Sequence, residues 1–134
     1  MNFDGIGLVE LPKILDERGN LSVIEAQQHI PFDIKRVYWI YDVPGGELRG
    51  SHAFKATSEL IVALSGSFDV VLHDGIQEYR FTLNRSYNGV LVPKMVWRRL
   101  ENFSTNSLAL ILADTTYCEA DYIRCFDEFK SMLS

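Results

Sequence analysis

The chain has 134 residues, of which 47% are hydrophobic and 23% are charged, which is the size and composition of one globular domain. Its 18 acidic residues outnumber the 13 basic ones, and lysine and arginine form no cluster, so nucleic-acid binding is not expected. No apolar run could span a bilayer and the first residues do not resemble a secretory signal, so we expect a single cytoplasmic domain, residues 1–134, without membrane contact.

Apolar and polar residues alternate over most of the chain, which is typical of β-strands. In chain order this pattern predicts strands at residues 21–25, 34–41, 59–65, 67–73, 78–83, 89–92 and 107–113. Turn residues separate them, for example Asp74 and Gly75, which favour tight turns. Because the connections are short, neighbouring strands are expected to run antiparallel in an all-β sandwich or barrel.

The C-terminal stretch has a different period. Apolar residues recur there in steps of three, at Ala120, Ile123, Phe126, Phe129 and Met132. This spacing predicts a short amphipathic helix that covers one end or edge of the barrel. Cys118 and Cys125 also lie in this stretch, outside any CxxC motif or Cys/His cluster, so we expect buried or unreactive thiols.

One segment carries a more specific pattern. Residues 46–66 follow the spacing of the first cupin motif, G-x5-H-x-H-x4-E-x6-G, with His52 and Glu59 in place and Phe54 instead of the second histidine. The stretch PKMVWRRLEN keeps the spacing of the second motif, P-x-G-x2-H-x3-N, but has Arg98 where the motif has histidine. The chain therefore resembles the cupin superfamily, whose fold is a jelly-roll β-barrel.

Many cupins hold a divalent metal ion with the histidines and the glutamate of these motifs. The matching residues here are His52, Phe54, Glu59 and Arg98, and neither a phenyl ring nor a guanidinium can ligate a metal. We therefore expect no metal, and a metal-dependent cupin oxygenase or isomerase is a lesser alternative. An inward Arg98 needs a partner, so it either forms a structural ion pair with Glu59 or binds a ligand oxygen.

Six blocks sharpen the resemblance within the cupins. They are RGNLSVIE, IKRVYWIYDVP, RGSHAFK, ALSGSFDVVLHDG, LVPKMVWRRLENFS and YCEADYIRCFDEF. In this order, over about residues 11–129, they resemble the sugar-nucleotide 3,4-ketoisomerases, the WxcM-like group of RmlC-like cupins. The resemblance implies an all-β RmlC-like cupin with a short C-terminal helix, and a homodimer with an exchanged N-terminal strand.

The same resemblance implies an activity. Members of the family move the keto group of a TDP-4-keto-6-deoxyhexose, such as TDP-4-keto-6-deoxyglucose, from C4 to C3 through an enediolate and without a cofactor. Such a reaction belongs to deoxysugar biosynthesis for surface polysaccharide, lipopolysaccharide or glycoconjugate. It needs a base near neutrality, stabilisation of a negative oxygen and a grip on the diphosphate.

Family positions then imply roles for individual residues. His52 is the expected base, and Tyr38 is expected to donate a hydrogen bond to the sugar or to relay a proton, with core packing as its alternative. Arg49 and Arg18 match arginines near the nucleotide and the hexose, where they would bind the diphosphate or stabilise the enediolate. Arg98 and Glu59 complete the expected substrate-binding set.

Phe54 departs from the family pattern RGxHAHK, which has a second histidine at this position. A phenyl ring cannot move protons, and losing a positioned acid–base group costs about 10²- to 10⁴-fold in rate. Two alternatives therefore stay open. The chain is a ketoisomerase that uses His52, or it is a catalytically weakened cupin that binds a nucleotide sugar.

Overall fold

Two antiparallel five-stranded sheets form the protein. The computed structural model describes residues 5–133. Its strands are β1 (Gly7–Glu10), β2 (Arg36–Tyr41), β3 (Arg49–Phe54), β4 (Glu59–Ser65), β5 (Phe68–His73), β6 (Glu78–Leu83), β7 (Asn88–Val92), β8 (Trp97–Glu101), β9 (Leu108–Ala113) and β10 (Tyr122–Ile123). The first sheet has the order β1-β7-β4-β9-β2 and the second β10-β3-β8-β5-β6. With one short helix near the C-terminus, α1 (Phe126–Met132), the predicted all-β architecture is confirmed.

The main core lies between the two sheets. Ile61 and Ile111 of the first sheet share one buried apolar cluster with Val70 and Leu100 of the second. All four side chains are fully removed from solvent. Because side chains alternate along a strand, this core also decides which polar residues of β2, β3, β4 and β8 point inward.

A second buried cluster covers part of the outer face of the first sheet. Ile30 and Phe32, from the segment that joins β1 to β2, pack there against Leu60 and Leu112. This segment consists of turns and isolated bridges, and the strand predicted at residues 21–25 is wrong. Leu21 forms only an isolated bridge with Ile14. Alternation of apolar residues does not distinguish a strand from an irregular segment that packs its apolar side chains on a sheet.

The other six predicted strands are confirmed, with ends that shift by no more than two residues. The alternation does not predict β8, because the adjacent Arg98 and Arg99 interrupt it. It also predicts neither β1, which pairs with β7 at the edge of the first sheet, nor β3, which pairs with β8.

The predicted C-terminal helix is only partly confirmed. It begins at Phe126, because Tyr122 and Ile123 form β10 and pair with β3. The side chain of Asp121 accepts hydrogen bonds from the Ala56 backbone N–H and from the Thr57 hydroxyl. These contacts hold the preceding chain against the barrel, so the period of three spans a turn, a short strand and a helix.

The short helix α1 packs against the second sheet through Phe126 and Phe129. Phe129 is fully buried and belongs to a small cluster with Trp97 and Ala53. Cys118 and Cys125 are both exposed, so the expectation of buried thiols is wrong, and their lack of reactivity stays a prediction. No helix within residues 5–133 has the length and apolar character needed to cross a membrane.

Candidate active site

Four of the predicted site residues come together inside the barrel. His52 on β3 lies directly opposite Arg98 on β8 in the antiparallel register. Tyr38 on β2 and Glu59 on β4 reach the same space from the first sheet, because each bonds within a network centred on Arg98. The spacing of the cupin motifs predicts that His52, Glu59 and Arg98 lie together, whereas Tyr38 is expected there only from the family resemblance.

Arg98, Glu59 and Tyr38 form a closed hydrogen-bonded network. Nε of Arg98 donates to Oε1 of Glu59 at 2.8 Å, and Nη2 donates to the hydroxyl of Tyr38 at 2.8 Å. That hydroxyl in turn donates to Oε2 of Glu59. Arg98 is 1% exposed and Glu59 is 0% exposed, so the ion pair is fully removed from water. Of the two alternatives for Arg98, the structure therefore contains the ion pair with Glu59.

Gly50 makes room for the Arg98 guanidinium. A Cβ atom at this position would lie 2.5 Å from Nη1 of Arg98, which is closer than any side chain tolerates. Its φ of +68° is also a conformation that favours glycine. The cupin-like segment thus needs glycine here because the backbone of β3 passes against a buried arginine.

The network has consequences for Tyr38. Burial raises the pKa of the Tyr38 phenol, and the Glu59 carboxylate adds to this, although Arg98 opposes it. The phenol stays protonated at neutral pH, with its proton directed to Glu59 and a lone pair bonded to Arg98. In this arrangement Tyr38 can serve as a hydrogen-bonding group, and its raised pKa leaves the basic phenolate form unpopulated at neutral pH.

His52 is buried against two aromatic rings. It is 7% exposed, and its ring lies edge-on to Phe54 at a centroid distance of 4.7 Å and to Tyr122 at 5.0 Å. Nε2 is buried and has no hydrogen-bond partner among residues 5–133. A core histidine would satisfy this atom, so the unpartnered nitrogen favours a ligand-facing role over a packing role.

The charge state of His52 follows from the same surroundings. Burial, assisted by the positive charges of Arg98, Arg124 and Arg36, lowers the pKa of the imidazole to about 2. At neutral pH the ring is therefore uncharged, which is the form that accepts a proton. A negative charge that develops nearby would offset the three arginines and make the imidazole more basic.

Phe54 occupies the place expected from the strand alternation. It lies two residues from His52 on the same face of β3, it is 3% exposed, and its ring also contacts Tyr122 at 4.7 Å. The three rings form one aromatic cluster. The residue that departs from the family pattern is therefore in direct contact with the expected base.

The two remaining predicted arginines do not contact this group within one chain. Arg18 is exposed and pairs with Asp16 at 2.7 Å, in the turn between Ile14 and Leu21. Arg49 is exposed at the start of β3, separated from His52 by a bulge, and no acidic side chain within residues 5–133 pairs with it.

The structure adds residues that the sequence analysis does not single out. Arg36 lies two positions before Tyr38 on β2, and its guanidinium stands over the rings of Tyr38, Phe54 and Tyr117. Tyr122 contacts both His52 and Phe54. Strand alternation from Tyr38 is a signal for Arg36, whereas the helix predicted over residues 120–132 gives no signal for Tyr122.

These side chains do not fit a divalent metal ion. Both oxygens of Glu59 are engaged, one by Arg98 and the other by Tyr38. His52 supplies one imidazole, and Phe54 and Arg98 supply no ligand atom. A metal at this position would also meet the fixed charge of a buried guanidinium.

Comparison with known proteins gives the family. The profile of the family described as FdtA: WxcM-like, C-terminal matches residues 4–134. The chain belongs to this family. It is 41% identical over 127 residues to a TDP-4-oxo-6-deoxy-alpha-D-glucose-3,4-oxoisomerase of Aneurinibacillus thermoaerophilus, a match that covers 95% of this chain and 91% of that protein.

Solved structures of family members agree with the fold over nearly its whole length. The WlaRB TDP-quinovose 3,4-ketoisomerase from Campylobacter jejuni has a TM-score of 0.91 at 38% identity, covering 96% of this chain and 98% of that one. QdtA, a sugar 3,4-ketoisomerase from Thermoanaerobacterium thermosaccharolyticum in complex with TDP, has a TM-score of 0.93 at 34% identity, covering 98% and 96%. The predicted RmlC-like cupin and its ketoisomerase family are thus confirmed.

Proposed function

We propose that the chain, as a single domain, is a sugar-nucleotide 3,4-ketoisomerase. Its substrate is a TDP-4-keto-6-deoxyhexose, and the keto group moves from C4 to C3 in deoxysugar biosynthesis. The observation that carries the proposal is the buried, uncharged His52 with its unpartnered Nε2, inside a barrel that shares family and fold with TDP-sugar 3,4-ketoisomerases.

The reaction needs a group that removes a proton from C3 and then donates a proton to C4. The C4 ketone acidifies the proton at C3, and neutral His52 removes it to leave an enediolate and an imidazolium. The imidazolium then returns a proton to C4, and the proton of the C3 hydroxyl passes to O4, which leaves a ketone at C3 and a hydroxyl at C4. The pKa of His52 is low in the free protein, and the negative charge of a bound substrate and of the enediolate would raise it toward the near-neutral value that this cycle needs.

Tyr38 and Arg98 are proposed to act on the sugar oxygens. Glu59 keeps its ion pair with Arg98 whether or not Tyr38 bonds to it. The Tyr38 hydroxyl can therefore turn its proton from Glu59 to the substrate O4 without stranding a charge. Arg98 is fully buried, so its contribution is a fixed positive field at the place where the negative oxygen develops.

Because Phe54 replaces the second histidine, His52 is the one imidazole in the first cupin motif. A single base that serves both carbons is consistent with this, and Phe54 keeps the surroundings of His52 dry. The weakened, purely binding cupin is the second candidate, and Phe54 is the observation that favours it.

Incubation with TDP-4-keto-6-deoxyglucose in D₂O, followed by NMR, separates the two candidates. A ketoisomerase gives the 3-keto product, and deuterium enters the sugar at C3 or C4. Tight binding without product and without exchange would contradict the proposed activity and support the binding cupin.

We further propose a homodimer with exchanged N-terminal strands. β1 pairs with β7 at a sheet edge and is joined to β2 by a long segment, so the same pairing can form between two chains. Toward the opposite edge of the same sheet, Trp39 (56% exposed), Tyr41 and Leu64 line an apolar groove of about 550 Å³ on its outer face. Such a patch is typical of a surface that another chain covers.

The oligomeric state follows from the mass in solution. Light scattering is expected to give twice 15.3 kDa, and a monomer would contradict the dimer. Trp39→Asp is expected to weaken the dimer. Ile76→Asp is the matched control, because Ile76 is 91% exposed but lies on the turn between β5 and β6. Because a nucleotide sugar does not cross membranes unaided, we place the reaction in the cytoplasm.

A further inference from the structure

Arg36 differs from the other arginines of the protein. Within residues 5–133, five arginines pair with carboxylates: Arg18, Arg80, Arg98, Arg99 and Arg124. Arg49 and Arg85 lack an acidic partner but are exposed. Arg36 is partly buried, no carboxylate in the described part of the chain pairs with it, and its Nε is buried without a hydrogen-bond partner.

The surroundings of Arg36 are aromatic. Its guanidinium carbon lies 5.3 Å from the ring centre of Tyr38, 5.7 Å from that of Tyr117 and 6.0 Å from that of Phe54. Aromatic faces attract a cation and hold the plane of the guanidinium, but they do not satisfy its N–H donors in the way that an anion does. The guanidinium is therefore charged and held in a fixed orientation, and its Nε–H donor has no acceptor among residues 5–133.

Arg36 lies close to the expected site of the sugar. Arg36 lies on the same face of β2 as Tyr38, and its charge contributes to lowering the pKa of His52. Tyr117, on its other side, is 62% exposed. Arg36 thus stands between the buried network around Tyr38 and the solvent, where the charged part of a bound nucleotide sugar would enter the barrel.

We infer that Arg36 binds the diphosphate of the substrate. The inference rests on the proposed function, since it concerns the ligand of the same site. Two adjacent phosphates supply the negative charge that Arg36 lacks, and the planar fork of a guanidinium matches their oxygens. The unpaired cation is then a binding group that its partner completes only on ligand binding.

The test compares two probes that differ in the diphosphate. Titration calorimetry measures binding of TDP and of thymidine to the wild type, to Arg36→Met and Arg36→Lys, and to Arg85→Met as the control. Arg36→Met is expected to weaken TDP binding by about 10- to 100-fold, which corresponds to one lost charge-assisted hydrogen bond. Thymidine binding is expected to stay the same, and Arg36→Lys is expected to be intermediate.

A merely structural role predicts different results. The ligand-free protein holds Arg36 uncompensated, so Arg36→Met is expected to keep or raise the midpoint of thermal unfolding. A lowered midpoint with equal loss of TDP and thymidine binding would overturn the inference. So would unchanged TDP binding, or a loss that falls on kcat alone, which would place Arg36 at the enediolate.

Turnover of TDP-4-keto-6-deoxyglucose separates this inference from the proposed function. If the wild type turns over and Arg36→Met keeps the wild-type KM, the inference fails while the function stands. If the wild type forms no product but Arg36→Met selectively loses TDP binding, the function fails while the inference stands. A wild type that does not bind TDP overturns both.

Discussion

Replacing Glu59 by glutamine tests the buried network at the centre of the site. Glutamine keeps the shape of the side chain but removes the charge that compensates Arg98, whose Nε lies 2.8 Å from Oε1. Both side chains are at most 1% exposed, so water cannot replace the lost partner. Removing one member of a buried pair costs about 3–5 kcal/mol, a large part of the roughly 5–15 kcal/mol that holds a domain folded.

The assay is urea and thermal unfolding at neutral pH. Glu59→Gln is expected to lower the free energy of unfolding by that amount and the midpoint by on the order of 10 °C. Glu78→Gln is the control, because Glu78 is 50% exposed and meets Arg99 at 3.5 Å, so its loss costs less than about 1 kcal/mol. The double variant Glu59→Gln, Arg98→Met is expected to recover stability, since no charge is then stranded.

A small effect would refute this reasoning. If Glu59→Gln cost no more than Glu78→Gln, the Arg98 charge would have another partner or access to water. The role of Glu59 in holding Arg98 and Tyr38 in place would then be wrong.

The remaining predictions concern His52, Phe54, Gly50 and metals. Burial lowers the pKa of His52 below its unfolded value, so the folded protein loses stability as the pH falls below about 6.5. Between pH 6.5 and pH 5, the free energy of unfolding of the wild type is expected to fall by about 2 kcal/mol more than that of His52→Asn. Equal losses would mean that His52 is solvated. Phe54→His is expected to raise turnover by at least about tenfold, and an inactive, folded variant would show that the pocket has diverged further. Gly50→Ala is expected to cost about 1–3 kcal/mol in urea unfolding, whereas Gly45→Ala, with open space around it, is expected to cost less. Treatment with a chelator is expected to leave turnover unchanged, and a loss restored by added metal would contradict the interpretation of Arg98.

Local pattern and motif spacing predict a large part of the architecture. Alternation places most strands because each is half-buried between core and solvent, and the core of Ile61, Val70 and Leu100 enforces that alternation. The spacing of His52, Glu59 and Arg98 predicts their meeting, because a fixed strand register converts sequence distance into contact.

Long-range contacts explain what the sequence does not predict. The predicted start of the C-terminal helix is wrong because Asp121 accepts hydrogen bonds from Ala56 and Thr57, some 65 residues earlier, and Tyr122 then pairs with β3. No local period contains that information. Arg36 is singled out because its buried Nε has no hydrogen-bond partner within residues 5–133. Only the three-dimensional arrangement of the neighbouring side chains shows this.

Arg18 illustrates a different limit. Its exposed position beside Asp16 gives it no contact with His52 within one chain. The substrate-binding role that the family resemblance implies for Arg18 requires that it reach the site of a second chain. Crosslinking between β1 and β7 of different chains would test the exchange on which that role depends.

The most direct test of the central claim is the rate of 3-keto product formation from TDP-4-keto-6-deoxyglucose by chelator-treated wild type and by folded His52→Asn. The proposed mechanism predicts product from the wild type and a rate at least about 10²-fold lower from the variant, with TDP binding retained. Equal rates for the two proteins would remove His52 as the base and contradict the mechanism.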